Sequence, residues 1–335
     1  MIRTLFLLGP SDRDAQNPIT RSREKGGVRI TADLAGILPI LPYVMSDRTL
    51  QTHCAQLLVG MQSIRLPGNA PVNLFNLVGD ADSSGDMLQK IQHIANEIRP
   101  RRFFNQPSRV FGTSRGRLPK TLANIPGCIV PRVDMVHPKT FGELQAVCEK
   151  FNAWPLIVRA SGYHGGEHML LLTEPAQLDS IKEVPWLYSG ICLIEFIDYK
   201  NQDGLYQKSR VIMVDGNAYP RHSIFSDKWI IHAGSRVDLM HHDLELCRQE
   251  EHFIARLRDK DIGGYANVFR EIHARIGLEV FGIDFSIVNG QIVIFEANAC
   301  MQFLDRRFRD NSRYQYLESH VKNLERAIKK MLLQS

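Results

Sequence analysis

Asp284, Glu296 and Asn298 fall within one stretch, FGIDFSIVNGQIVIFEANACMQF (281–303), where two apolar runs flank Asn289-Gly290. Two carboxylates and an amide offer oxygen and nothing softer. That donor set suits a hard cation, Mg2+ first of all, held by few protein ligands while phosphate oxygens complete its shell. β-Branched runs around Asn-Gly read as a hairpin, with Asp284 on one strand and Glu296 and Asn298 on the next. Side chains alternate faces along a strand, so the register decides whether these oxygens converge. A two-residue turn pairs even-numbered positions with odd ones and would send Asp284 and Glu296 to opposite faces. A three-residue loop, Val288 to Gly290 with a left-handed glycine, would return them to one face. The sequence predicts that loop, or a bulge elsewhere in the ladder. The plainer alternative is a buried hairpin whose polar ends meet solvent.

A second stretch, PLIVRASGYHGGEHMLLL (155–172), reads as a strand (Leu156–Arg159), a glycine-rich loop (Ser161–Gly166) and another strand (His168–Leu172). Gly162, Gly165 and Gly166 let backbone N–H groups approach an anion, and Arg159 adds charge. An ordinary long hairpin turn is the alternative. His164 and His168 bracket Glu167, but a turn with two glycines cannot be the one-faced helix of a zinc HExxH site, so no metal role follows. Residues 190–216 read as a buried strand, a polar connection and a strand Arg210–Val214 running into an Asp215-Gly216 turn. Arg221 follows that turn, and the two arginines can face one groove. For either alone, a structural ion pair is the competing reading. His222, His232, His241 and His242 are read as exposed or core histidines rather than substrate contacts.

The elements that must position these residues are those of a multidomain chain, since 335 residues suffice for two or three cores. Residues 1–107 read as an α/β unit with a first strand at Thr4–Leu8, a polar loop from Ser11 to Gly27, a helix from about Asp86 to Ile98 and a strand-like RRFFNQP. No GxGxxG follows the first strand, so a dinucleotide site there is unsupported. Thr140 with Glu143 forms a capping box for a helix over 140–151. Helical patterns recur over 243–257 and 264–276, the latter stopped by Gly277.

Composition excludes some classes. Hydrophobic content of 44% and charged content of 23% are those of a soluble globular protein. The longest apolar runs are too short to span a bilayer, and Pro10 with SDRD leaves no room for a signal peptide. Six scattered cysteines without metal-type spacing fit reduced thiols in the cytoplasm. A net charge of +5, without a run of cations and aromatics, argues against a nucleic-acid surface.

Taken in order, these segments resemble the ATP-grasp superfamily of carboxylate–amine or carboxylate–thiol ligases, the group of D-alanine–D-alanine ligase, glutathione synthetase and RimK, over roughly residues 100–305. PLIVRASGYHGG is similar to the family's strand and phosphate-covering loop, LIEFI to its adenine-flanking segment, SRVIMVDG to its arginine-bearing strand, and GIDF with FEAN to its metal signature. The likeness implies an α/β protein with the ATP-grasp fold behind an N-terminal Rossmann-like domain. Its divisions would be 1–107, a central part 108–190 bearing the glycine lid, and a C-terminal part 191–335 bearing the metal site. It implies ATP as cofactor with two Mg2+ ions, or Mn2+, on Asp284, Glu296 and Asn298. Nucleotide contacts would come from Arg117, Arg159, Ser161, Gly162, Gly165, Gly166, Glu195, Phe196 and Ile197, and catalytic cations from Arg210 and Arg221. The family has lysine where Arg159 and Arg117 stand. Arginine keeps the charge and adds a fork for phosphate, and Lys120 is the substitute for Arg117.

The implied reaction transfers the ATP γ-phosphoryl group to a carboxylate, and an amine then attacks the acyl phosphate. Amino acids or peptides are the implied substrates, with no nucleic-acid or membrane partner and with a homodimer left open. Two alternatives stay open, a kinase acting on a hydroxyl and a nucleotide-binding protein without catalysis.

Overall fold

The structure, a computed structural model, describes residues 3–12, 20–24, 27–31, 34, 36–59, 73–163, 166–232, 234–258 and 262–334. In chain order its strands are β1 (Thr4–Leu8), β2 (Thr20–Glu24), β3 (Gly27–Thr31), β4 (Cys54–Leu58), β5 (Asn73–Asn76), β6 (Phe103–Phe104), β7 (Cys128–Ile129), β8 (Val133–Val136), β9 (Leu156–Ala160), β10 (Met169–Leu172), β11 (Ile191–Glu195), β12 (Tyr206–Val214), β13 (Asn217–Ser226), β14 (Val280–Val288) and β15 (Gln291–Asn298).

Every residue of β1 is buried, as expected of a parallel strand covered on both faces. It lies between β4 and β5 in a parallel sheet ordered β4-β1-β5-β6. The second sheet, β10-β9-β11-β8, is antiparallel throughout. The third, β13-β12-β14-β15-β7, is antiparallel except for its β15–β7 edge. β2 and β3 pair as a separate hairpin, so part of the stretch expected as a loop over 11–27 is strand, while residues 13–19 and 25–26 lie outside the described residues.

Alternation along β14 packs Phe281, Ile283 and Phe285 against Phe269, Ile272 and Ile276 of the helix Ala266–Ile276, together with Leu5 and Leu74 of the first sheet. On the other face, Ile212, Val214 and Val280 meet Leu324 and Ile328 of the C-terminal helix Leu317–Gln334. Two devices join the first and third sheets. Buried Asn105 donates to the Val280 carbonyl at 2.7 Å and accepts from the Val280 N–H at 3.0 Å. Gly79, after β5, lies so close to Ala299 and Cys300 that a Cβ there would sit 2.7 Å from the Ala299 carbonyl carbon.

The β14–β15 hairpin decides between the two devices the sequence allows, a three-residue loop or a bulge. Val288 pairs directly with Gln291, and Asn289 and Gly290 both have positive φ, so the turn has two residues and not three. The parity is repaired by a bulge: Phe285 faces Ile294 whereas Asp284 faces Glu296, leaving Phe295 as the extra residue. The Asp215-Gly216 turn has the same two-residue form, and a second bulge follows it, with Val211 opposite Pro220 but Arg210 opposite His222. Among the described residues no helix is long and apolar enough to cross a membrane.

Candidate active site

A cavity of about 830 Å3 is lined by residues of both the second and the third sheet. Its apolar wall comes from Ile157, Met169, Ile194, Trp229 and Phe295. Its charged wall comes largely from the two bulged hairpins, with Arg115, Arg159 and Arg236 added from other elements. Each bulge places neighbouring residues of one strand on the cavity, Phe295 with Glu296 on β15 and Arg221 with His222 on β13, which simple alternation forbids.

Asp284, 3% exposed, faces Glu296 across the β14–β15 ladder. Arg210 grips it with two hydrogen bonds, Nε to Oδ1 at 2.6 Å and Nη2 to Oδ2 at 2.9 Å, and Lys208 Nζ lies 3.5 Å from Oδ2. Burial works against its ionised form, but the charges of Arg210 and then Lys208 prevail and hold the carboxyl down to about 2. Glu296 accepts from Arg115 Nη2 at 3.1 Å and from Asn298 Nδ2 at 2.7 Å. Arg115 also lies 3.8 Å from Asp82, in the loop after β5. The result is an alternating row of charges, Lys208 and Arg210 on Asp284, then Arg115 on Glu296.

The remaining expected residues divide. Arg159 lines the cavity from β9 and donates to the Tyr163 carbonyl; burial and then Arg115 press its guanidinium down to about 10. Gly166, Glu195, Phe196 and Ile197 line the same cavity. The Glu195 carboxylate is turned back on the Arg132 N–H at 3.1 Å. Ser161 and Gly162 are not on the wall, and Gly165 and His164 lie outside the described residues. Asn298 is set back behind Glu296, its amide oxygen accepting from the Cys300 N–H at 3.0 Å.

Arg117 is displaced from its expected place. It is exposed, as is Lys120, and its guanidinium lies over the Phe111 ring at 5.8 Å; Arg115, two residues earlier, reaches the cavity. Arg221 is on the wall but does not join the carboxylate row. It donates to the main-chain carbonyls of Phe303 at 2.6 Å and Asp305 at 2.7 Å. His222, His232 and His241, expected elsewhere, line the cavity, while His242 is exposed. Among the described residues no group of three or more His, Cys, Asp or Glu gathers as a metal site, and His168 instead packs edge-on to Tyr163.

Several wall residues escaped the sequence reading. Lys208 shares the face of Arg210 two positions on, a period-two signal open to view in the strand. Arg236 lies in a single π-type turn, Arg236–Met240, and is neutralised by Glu250 in the next helix. Nothing local in the sequence ties those two together.

No protein-family model and no curated protein matches the chain. Solved structures do. D-alanyl-alanine synthetase A from Vibrio cholerae is 11% identical with a TM-score of 0.56, over 99% of this chain and 98% of that one. The macrocyclase MdnC from Microcystis aeruginosa, bound with precursor peptide MdnA, is 10% identical with a TM-score of 0.54, over the full length of both chains. Carboxyaminoimidazole ribonucleotide synthase from Aspergillus clavatus, complexed with ATP, is 10% identical with a TM-score of 0.52, over 96% of this chain and 77% of that one. These are similarities of fold across nearly the whole chain, and with a cavity walled by two facing sheets they establish that the chain has the fold of the ATP-grasp superfamily.

Proposed function

We propose that the chain is an ATP-dependent ligase that activates a carboxylate as an acyl phosphate and joins it to an amine. The observation that carries this reading is the row Lys208/Arg210–Asp284 beside Arg115–Glu296, set next to an apolar pocket. Adenine would sit against the apolar wall of Ile157, Met169, Ile194, Trp229 and Phe295, beside Glu195, Phe196 and Ile197, which line the same cavity. Asp284 and Glu296 on the wall supply oxygen donors suited to Mg2+, with Mn2+ the alternative, and Asn298 would join them by turning its amide oxygen from the Cys300 N–H towards the cavity. Bound there, the ions would neutralise phosphate charge as it shifts in transfer.

The cations now on the carboxylates then have a second task. Arg210 and Lys208 leave Asp284, and Arg115 leaves Glu296, to hold phosphate oxygens, with Arg159 beside the glycine loop. A substrate carboxylate oxygen attacks the γ-phosphorus and ADP departs. The amine attacks the acyl carbon, loses a proton, and inorganic phosphate leaves. No protein nucleophile is needed. Closure of the glycine loop would keep water from the acyl phosphate. The fold likeness to a D-alanyl-alanine synthetase and to a macrocyclase holding a peptide supports amino acids or peptides as the substrate class.

Incubation with ATP, Mg2+ and pools of amino acids tests the reading. A ligase releases ADP and phosphate only when acid and amine are both present. A kinase releases ADP without free phosphate, and a scaffold releases neither. Asp284→Asn and Glu296→Gln should each lower turnover by on the order of 10^2-fold or more, the scale of losing one group that stabilises transition-state charge. Undiminished turnover in both variants would remove this site from consideration.

A further inference from the structure

We propose that Arg221, with His222 and Arg236 beside it, seats an anionic group of the substrate other than the carboxylate that reacts. The enzyme would therefore take a diacid or a phosphorylated acid or amine. This inference rests on the ligase reading above and adds the class of substrate.

The bulge in β13 turns both Arg221 and His222 into the cavity at the end formed by β13, the 236–240 turn and residues 305–317. Arg221 is 5% exposed, and its partners among the described residues are two main-chain carbonyls and the face of Phe308 at 5.4 Å. Among the described residues no carboxylate pairs with it. A guanidinium has five N–H groups. The Phe303 and Asp305 carbonyls take the Nε side and one donor of Nη2, so the Nη1 edge remains for a ligand.

Its neighbour shows what a satisfied cation looks like in this place. Arg236 is held by both oxygens of Glu250, whose own partners are all within the protein. Arg210 has Asp284. Arg221 therefore stands buried between two arginines whose charges are already answered, while its own is not.

The electrostatics agree with the geometry. Burial, then Arg236 and Arg210, press Arg221 down to about 10, outweighing Glu250 and Asp305. His222 is held well below the ordinary histidine range by burial and by Arg210, Arg221, Arg236 and Lys208, so it faces the cavity as a neutral hydrogen-bonding group. A carboxylate or phosphate placed against the Nη1 edge relieves this repulsion and gains charge-assisted hydrogen bonds. The apolar pocket and the Asp284–Glu296 row are left to the nucleotide.

Matched pairs test this: aspartate against asparagine, glutamate against glutamine, and phosphoserine against serine, each offered as acid or amine with ATP and Mg2+. The charged member of at least one pair should show roughly 10–100-fold higher kcat/KM, the scale of a charge-assisted hydrogen bond. The amino-acid and phosphoserine arms distinguish carboxylate from phosphate. Arg221→Gln should erase the preference through KM, Arg221→Lys should restore part of it, and both variants should bind a non-hydrolysable ATP analogue within about twofold of the parent.

Equal use of charged and neutral members, or a loss in Arg221→Gln that falls on kcat alike for both, overturns the proposal. A parallel calorimetric titration of the charged compounds into the analogue-loaded protein separates the two readings. Binding lost in Arg221→Gln, without any ligation product, sustains the anion site and sinks the ligase. Analogue binding and ligation without anion preference sinks the anion site alone.

Discussion

Glu250 offers the sharpest test of how the cavity is held together. It is 0% exposed and accepts four hydrogen bonds: from the Ser223 N–H at 2.8 Å, from Nη2 of Arg236 at 2.6 Å, from Nη1 of Arg236, and from the Tyr316 hydroxyl at 2.5 Å. Burial disfavours the charged Arg236, yet Glu250 raises its pKa beyond the ordinary arginine value. Glu250→Gln keeps the size but replaces one acceptor with an NH2 that faces other donors, and it leaves a buried guanidinium without a counter-ion. Breaking such a pair by removing one partner costs roughly 3–5 kcal/mol. At about 2–4 °C per kcal/mol for a chain of this size, the melting temperature should fall by on the order of 10 °C. The double variant Glu250→Leu with Arg236→Met removes both charges. It should melt above Glu250→Leu alone, because no orphaned ion remains. Thermal unfolding followed by circular dichroism measures all of these. A Glu250→Gln protein melting within about 2 °C of the parent, or a double variant less stable than either single one, would show that the pair does not organise this region.

Two further outcomes can be measured directly. Burial, then Arg258, holds His320 down to about 4 against its ordinary 6.5, so the unfolded chain takes up this proton at a higher pH than the folded one. The stability this histidine contributes is complete above pH 6.5 and falls by roughly 3 kcal/mol as the pH drops towards 4. His320→Gln should flatten that part of the denaturation profile, and an unchanged slope would refute the assignment. Gly79→Ala drives a Cβ to 2.7 Å from the Ala299 carbonyl carbon and 2.8 Å from the Cys300 nitrogen, main-chain atoms that cannot swing aside. It should lose roughly 1–3 kcal/mol in urea denaturation, and a neutral result would mean that the joint between the first and third sheets yields freely.

Features set by neighbours in the chain were legible in the sequence. Asp215-Gly216 forms the hairpin turn its composition predicts, since both residues accept positive φ, and Asn289-Gly290 marks a hairpin for the same reason, although its two-residue length is not what parity alone favours. Thr140 caps the helix Phe141–Phe151, its hydroxyl accepting from the Glu143 N–H at 3.1 Å, although the Glu143 carboxylate reaches the Lys139 N–H and not that of Thr140. Gly277 stops its helix in the left-handed conformation. Features set by long-range geometry were not legible. Strand parity demands a device to bring Asp284 and Glu296 together, and the bulge at Phe295 that does so leaves no mark on composition. Arg115 and not Arg117 reaches the cavity because the chain between the short turns Phe111–Thr113 and Leu118–Thr121 sets which guanidinium turns inward, and a family pattern of cations does not encode that. Arg236 reaches Glu250 only through a π-type turn, which hydrophobic periodicity does not encode.

The two bulges have a consequence for how such a cavity could change over descent. In each hairpin the extra residue is additional to the ladder. Excising Phe295 would leave Asp284 opposite Glu296, and excising Arg221 would leave Arg210 opposite His222. The charged row can therefore keep its pairing while a one-codon deletion or insertion removes or supplies a neighbouring wall residue. On this sheet, the groups proposed for phosphate chemistry and one proposed to select the substrate are separable by length as well as by substitution.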